Sequence, residues 1–263
     1  MSRGTSPASP RGLLALAILA FSLGCDASKE YVGGVEPLRI AAAADLQRVL
    51  PKLLEAYEGR DGPVVPPTFG ASGNLAEQIR GGAPFDVFLS ADLELPRELE
   101  GEGHVVAGSV APYAQGSIVL LVHPEAAGTV ASLGDLTRPE VRTIAIANPD
   151  AAPYGKAARE ALENAGLWAD LGPKIVPTAS VSQALLHVER GDADAALVSR
   201  SLVAGAGSRV VEIDPALYPP RIQALGILTR SPRKDRASRF AAFLLGPEGR
   251  RILGEHGFGF PGP

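Results

Sequence analysis

Three segments of this 263-residue chain set small polar residues at a helix start: Ala44-Asp45, Ser72-Gly73-Asn74 and Ser180-Val181. At each, a strand or loop runs into a capped helix. A helix start exposes about four unpaired N–H groups and a partial positive charge of roughly half an electron. Starts at the carboxyl ends of parallel strands face the crevice in which open α/β sheets bind ligands. Several of them converging would hold a small anion without lysine or arginine. Ordinary capping is the simpler account of any single segment, and only the set of three points to an anion. Gly70-Ala71-Ser72-Gly73-Asn74 is the most pointed of them. With Asn74 as the cap, the Ser72 hydroxyl is free for a ligand, and small neighbours let that ligand approach the backbone.

Other chemistries find less support. The nucleophile elbow G-x-S-x-G is absent at Ser72, because the second glycine comes one residue early. The four histidines, His104, His123, His187 and His256, include no pair at metal-ligand spacing. The stretch from Gly257 to Gly262 has the form G-x-G-x-x-G, but no helical pattern follows it, so it is no dinucleotide loop. Asp86 and Asp92 flank an apolar run ending in Ser90; such a pair can hold a cation, though caps and turns are its commoner use. The tyrosines, Tyr31, Tyr57, Tyr113, Tyr154 and Tyr218, are too scattered to clamp a ferric ion. A single cysteine, Cys25, excludes an internal disulfide and a Cys-rich metal site. A net charge of −4 argues against nonspecific nucleic-acid binding, which needs a basic face. Neither a catalytic dyad nor a cofactor anchor is legible, which favours a binding protein over an enzyme.

The candidate residues need elements to position them, and from residue 38 strand-like and helix-like runs alternate. Apolar runs at 38–43, 86–90, 118–122, 143–147, 195–198, 210–213 and 224–228 read as strands. Residues 64–69 read as another, weakened by Pro66 and Pro67. Leu46, Val49, Leu50, Leu53, Leu54 and Tyr57 form one helical stripe, with Asp45 as its N-cap and Pro51 as a local bend. Asn74 to Glu77 and Ser180 to Gln183 have capping-box spacing. Pro153-Tyr154-Gly155 precedes a further helix, and the last one, at 240–253, is broken at Gly246-Pro247. The alternation predicts an α/β protein whose parallel sheets are covered on both faces, and it leaves open whether there is one sheet or two. Ahead of this body, Arg3 and Arg11 precede an apolar run at 13–23 and then Gly24-Cys25, the pattern of a signal peptide. The run falls short of the roughly 20 apolar residues of a membrane span. Cys25 directly after it fits a lipoprotein signal in which that cysteine is acylated, although Ser22 stands where leucine is usual. Residues 1–25 are therefore expected to be a leader and 26–36 a tether.

The segments from Ile40 to Leu46, from Phe69 to Ile79 and from Gly82 to Asp92 resemble the periplasmic molybdate-binding proteins in order and spacing. So do Pro153-Tyr154-Gly155-Lys156-Ala157-Ala158, the stretch from Val181 to Arg190, and His256-Gly257-Phe258 near the end. The resemblance spans about residues 37 to 260. It implies the α/β type II periplasmic-binding-protein fold, with two lobes, each a mixed sheet flanked by helices, joined by two crossing strands near 116–122 and 223–228. Lobe I would comprise 37–116 plus 227–263, and lobe II 117–226. The ligand implied is molybdate or tungstate, held by neutral donors at Ala44, Asp45, Ser72, Tyr154 and, through its backbone, Val181. No cofactor is implied. The partners implied are an ABC permease and its ATPase, with a membrane link only through a lipid on Cys25, no nucleic acid, and a monomeric state. The alternatives are a binder of another oxyanion or organic anion (sulfate, a phosphonate), an enzyme on the same fold, or a sensing domain.

Two positions depart from the family. Asp45 stands where relatives have Ser or Asn, and an ionised carboxylate facing a dianion would repel it strongly. Either Asp45 turns away to cap its helix and presents only its N–H, or it is protonated or meets a protonated ligand; capping is the expectation, so that Asp45→Asn changes affinity by less than about tenfold. Ser199 stands where some relatives place a tyrosine, and Tyr154 is expected to supply that phenolic donor instead.

Overall fold

The computed structural model describes residues 36–126, 128–203 and 208–261, together with residues 1, 2 and 4. Nearly all of the expected leader, including Cys25, and nearly all of the tether lie outside the described residues. In chain order the elements are β1 (Ile40–Ala43), α1 (Leu50–Asp61), β2 (Thr68–Gly70), α2 (Ser72–Arg80), β3 (Val87–Ser90), α3 (Glu94–Gly101), β4 (Ala111–Gly116), β5 (Ile118–Val122) and β6 (Ile144–Ala147). They continue with α4 (Pro153–Asn164), α5 (Trp168–Leu171), β7 (Ile175–Thr178), α6 (Val181–Glu189), β8 (Ala195–Ser199), β9 (Arg209–Glu212), β10 (Arg221–Ile227), α7 (Lys234–Leu245) and α8 (Pro247–Glu255).

The strands form two five-stranded sheets, in the orders β2-β1-β3-β10-β4 and β7-β6-β8-β5-β9. Both sheets are mixed. In the first, β1 runs parallel to β2 and β3, and β10 runs antiparallel to β3 and β4. In the second, β6 runs parallel to β7 and β8, and β5 runs antiparallel to β8 and β9. Sequence alternation could not count the sheets, because a local pattern is the same in either arrangement. The chain leaves the first sheet at Ser117, between β4 and β5, and returns to it between β9 and β10. All of β10 lies in the first sheet, with Arg221 paired to Gly116. The return thus falls before Arg221, upstream of the expected 223–228.

The central strands explain the sheets' stability. Every residue of β1, β3, β5, β6 and β8 is buried, as strands covered on both faces require. Alanine makes up much of β1, β6 and β8, which lets helices pack closely. The stripe from Leu46 to Tyr57 is buried as its spacing predicts, and Tyr57 meets the Phe240 ring edge-on at 5.1 Å.

Three local expectations change. Residues 44–46 form a short 3-10 turn, and α1 begins only at Leu50. Pro51 therefore sits in the first turn, where a missing N–H loses no hydrogen bond, and bends nothing. Pro66 and Pro67 confine β2 to Thr68–Gly70, leaving Val64 as an isolated bridge to Leu38. Helix α2 starts at Ser72, so Asn74 lies inside it and caps nothing. Ser180 does cap α6: its Oγ accepts from the Gln183 N–H at 3.3 Å, and the Gln183 side chain accepts from the Ala179 N–H at 3.1 Å.

Candidate functional site

Four chain segments turn from strand to helix on one side of the molecule. The 3-10 turn follows β1, and α2 follows β2, in the first sheet; α4 follows β6, and α6 follows β7, in the second. A narrow cavity lies where they meet, with about 200 Å³ of atom-free space counting its mouth. Its walls include Ala44, Asp45, Ser72, Tyr154 and Val181, the five positions named from sequence, along with the small residues Gly70, Ala71, Ala91 and Ala152. No lysine or arginine lines it. Neither Ala43 nor Ala71, the residues preceding the two first-sheet starts, has a side-chain cap. Their leading N–H groups have no acceptor inside their own helix.

The polar side chains at this junction bond across it. Tyr154 from α4 donates to Asp45 Oδ2 at 2.9 Å. Gln223 Nε2 from β10 donates to the same oxygen at 2.6 Å and to the Tyr154 hydroxyl at 2.9 Å. The Tyr113 hydroxyl of β4 donates to Gln223 Oε1 at 2.7 Å, which fixes the amide's orientation. Ser201, after β8, donates to the Asp45 carbonyl at 2.8 Å, and its Oγ lies 2.8 Å from that of Ser199. The Gly73 N–H donates to the Ala151 carbonyl at 3.0 Å, and a Cβ at Gly73 would lie 2.7 Å from that oxygen. A Cβ at Gly116 would collide with the Tyr154 hydroxyl. Glycine is thus required at both places by close approach.

Asp45 does not cap a helix. Its carboxyl is fully buried, Oδ2 takes the two bonds above, and Oδ1 has no partner. Burial pushes its pKa up to about 6, against the lowering effect of the hydrogen bonds from Gln223 and Tyr154 and of its own nearby backbone N–H. Burial, and then the charge of Asp45, hold Tyr154 and Tyr113 well above the ordinary tyrosine range, so both remain O–H donors near neutrality. Ser72 is not free either: its Oγ accepts from the Ala91 N–H at 3.0 Å, which leaves its proton to donate. Asp92 turns onto the Leu95 N–H and Ser90, a turn contact, while Asp86 pairs with Arg233. Among the described residues no cluster of His, Cys, Asp and Glu suits a metal ion.

Gln223, Tyr113 and Ser201 were not legible as site residues. Tyr113 lies on β4, whose sequence Ala-Pro-Tyr-Ala-Gln-Gly shows no strand alternation. The register of β4 against β10 shifts between Gln223 and Ala224, leaving Tyr113 as the extra residue of a bulge. Bulges re-aim side chains in this way beside sites. The available signal was a glutamine at the edge of the apolar run 224–228.

Residues 38–259 match the sequence model of the family described as bacterial extracellular solute-binding protein. The chain is 34% identical over 254 residues to the molybdate-binding protein ModA of Azotobacter vinelandii, covering 94% of this chain and 96% of that one. It is 34% identical over 220 residues to the molybdate-binding protein ModA of Rhodobacter capsulatus, covering 83% and 86%. The solved Azotobacter vinelandii periplasmic molybdate-binding protein superposes with a TM-score of 0.80 at 31% identity, over 86% of this chain and 100% of that one.

Proposed function

Because this chain belongs to the bacterial extracellular solute-binding proteins, we propose that it captures molybdate, or the similarly sized tungstate, between its two sheets outside the cytoplasm and hands it to an ABC permease with its ATPase. The observation that carries this reading is convergence. Helix starts from both sheets meet at one cavity lined by no lysine or arginine. Backbone N–H groups at Ala44, Ser72 and Val181, with the Ser72 hydroxyl, are the donors we assign to the anion's oxygens; the Tyr154 hydroxyl joins them by turning its one proton from Asp45 Oδ2 to the ligand. Charge-assisted hydrogen bonds to an anion are about twice as strong as neutral ones. Micromolar affinity requires about −8 kcal/mol, which several such bonds can supply after desolvation. Neutral donors also allow release to the permease without breaking an ion pair. Selectivity follows from cavity size: sulfate is smaller and leaves donors too distant.

Capture and release require the halves carrying the two sheets, 37–116 plus the C-terminal part and 117 to about 220, to swing about the two connections at Ser117 and ahead of Arg221. We assign Cys25 as the site of a lipid anchor, and the protein as a monomer that works as a carrier and not as an enzyme. A thermal-shift series with molybdate, tungstate, sulfate and phosphate tests the ligand. At 100 times its Kd a ligand adds about 2.7 kcal/mol of stability. A clear shift with molybdate and tungstate and little with sulfate is expected. A shift with sulfate or phosphate alone would reassign the ligand, and no shift with any of the four would remove the oxyanion.

A further inference from the structure

Asp45 is the one lining residue that an anion site built from neutral donors should not contain. Its carboxyl is fully buried, and Oδ1 lacks any hydrogen-bond partner while Oδ2 takes two. A buried carboxylate oxygen without a donor is destabilising, and native proteins seldom leave one. A carboxyl oxygen that carries a proton is the reverse: beside an anion it becomes one more donor.

The groups facing Asp45 contain no cation to neutralise it. Tyr154 comes from α4, Gln223 from β10 with Tyr113 of β4 behind it, and Ser201 and Ser199 from the end of β8. The charged side chains on the packed elements are tied up in pairs: Arg48 with Glu189 of α6, Arg200 with Glu212, Glu160 of α4 with Arg221, Lys156 with Glu94, and Arg159 with Glu163. His187 stands in the last turn of α6, away from its start. Asp92, the other acid near Tyr113, adds negative charge.

We propose that the site binds its oxyanion together with one proton, held between Asp45 Oδ1 and an oxygen of the ligand. This rests on the oxyanion reading above and concerns the same site. The proton comes from solvent as the two halves close. Carboxylate and dianion together would enclose three negative charges, and with the proton they enclose two. The proton counts once whether it is drawn on the carboxyl or on the ligand, and no other bond forms or breaks. Burial already raises the proton affinity of Asp45 without ligand, and a dianion beside it acts in the same direction. A Ser or Asn at this position would donate without titrating, whereas Asp45 makes capture sensitive to pH.

Calorimetry on the mature protein tests this. Sodium molybdate is titrated at pH 7.5 in two buffers of different ionisation enthalpy, and then from pH 6.5 to 8.5. Wild-type protein should take up one proton per molybdate, and its apparent Kd should rise about tenfold per pH unit. Asp45→Asn, with Asp45→Ser as a second variant, should take up none, show a flat profile, and bind at least about tenfold more tightly than wild type at pH 8.5. Wild-type binding without proton uptake, or variants that keep the wild-type slope, would overturn the proton coupling and leave the oxyanion reading standing. Failure of molybdate, tungstate, sulfate and phosphate to bind all three proteins across this range would overturn both.

Discussion

Two aspartates of the first sheet are completely buried, and they differ in how far their oxygens are satisfied. Asp86, just ahead of β3, accepts from the Arg39 N–H at 2.7 Å, from Ser231 at 2.6 Å and from Arg233 Nε at 2.9 Å. Both its oxygens are used, and a guanidinium balances its charge. Asp45, just after β1, has two neutral donors on one oxygen, nothing on the other and no cation. Burial is the same in both, so burial does not distinguish structure from function here. What distinguishes them is unmet demand. Asp86 ties the start of β3 to the loop before α7 and is closed to any further partner. Asp45 lies between the two sheets with capacity to spare, and that capacity is where a ligand or a proton can act.

The sharpest way to break this contrast is to remove Asp86. Truncating one partner of a buried ion pair costs about 3–5 kcal/mol, because the other charge is left without its counterpart. Asp86→Ala should lower unfolding stability by that amount in urea titrations. Molybdate affinity of the folded fraction should stay within about twofold of wild type. A large loss of affinity at unchanged stability would make Asp86 part of the site and dissolve the distinction.

Removing Asp45 should do the opposite. Its folded pKa of about 6 lies above the ordinary carboxylate value of 3.8. The folded state therefore holds this proton more tightly than the unfolded chain does. The stabilisation is fully present below the unfolded value and is lost as pH rises through about 6. Between pH 4.5 and 7.5 that loss is about 2 kcal/mol, and opening of the two halves would relieve part of it. Ligand-free Asp45→Asn should accordingly gain stability over wild type as pH rises through this window, measured as the difference between their urea midpoints at each pH. A constant difference between pH 4.5 and 7.5 would mean that Asp45 is not buried as described.

The same contrast shows how much could be read from the sequence. The apolar strands β1, β3, β5, β6 and β8 were legible because strands buried on both faces are continuous apolar runs. Strand β4 was not, since its polar residues and Pro112 hide a strand whose partners are distant in sequence. The helix starts at residues 44, 72 and 181 were legible as sites of unpaired N–H groups, and they do converge. Their details were less so: capping spacing fits at Asn74, but α2 starts three residues before the helix that cap would open, and Ser72 Oγ accepts from the Ala91 N–H while its own proton stays available. The orientation of Asp45 is hidden from the sequence for a related reason. Sequence offered one nearby use for the carboxyl, its own helix, whereas Tyr154 and Gln223 stand 109 and 178 residues away along the chain. Asp86 and Arg233 are likewise joined over 147 residues. Contacts of that range leave no local periodicity.

The gentlest test makes Asp86 resemble Asp45 without removing it. Ser231 donates to Asp86 Oδ1, so Ser231→Ala leaves that oxygen as unpartnered as the free oxygen of Asp45. Loss of one hydrogen bond to a charged group should cost about 1.5 kcal/mol, the low end for such bonds. Arg233 stays on Oδ2, and it in turn is held by Glu36 at 2.6 Å. If an unpartnered oxygen were enough to create a proton site, the variant's stability would acquire a dependence on pH between 5 and 8. We expect none, because the Arg233 guanidinium still faces the carboxylate and balances its charge. Urea midpoints of Ser231→Ala parallel to wild type across it would show that Asp45 binds a proton for want of a cation as well as of a donor. Midpoints that diverge would show that a missing donor alone suffices, and would make the unpaired oxygen, rather than the lack of a cation, the feature that defines the site.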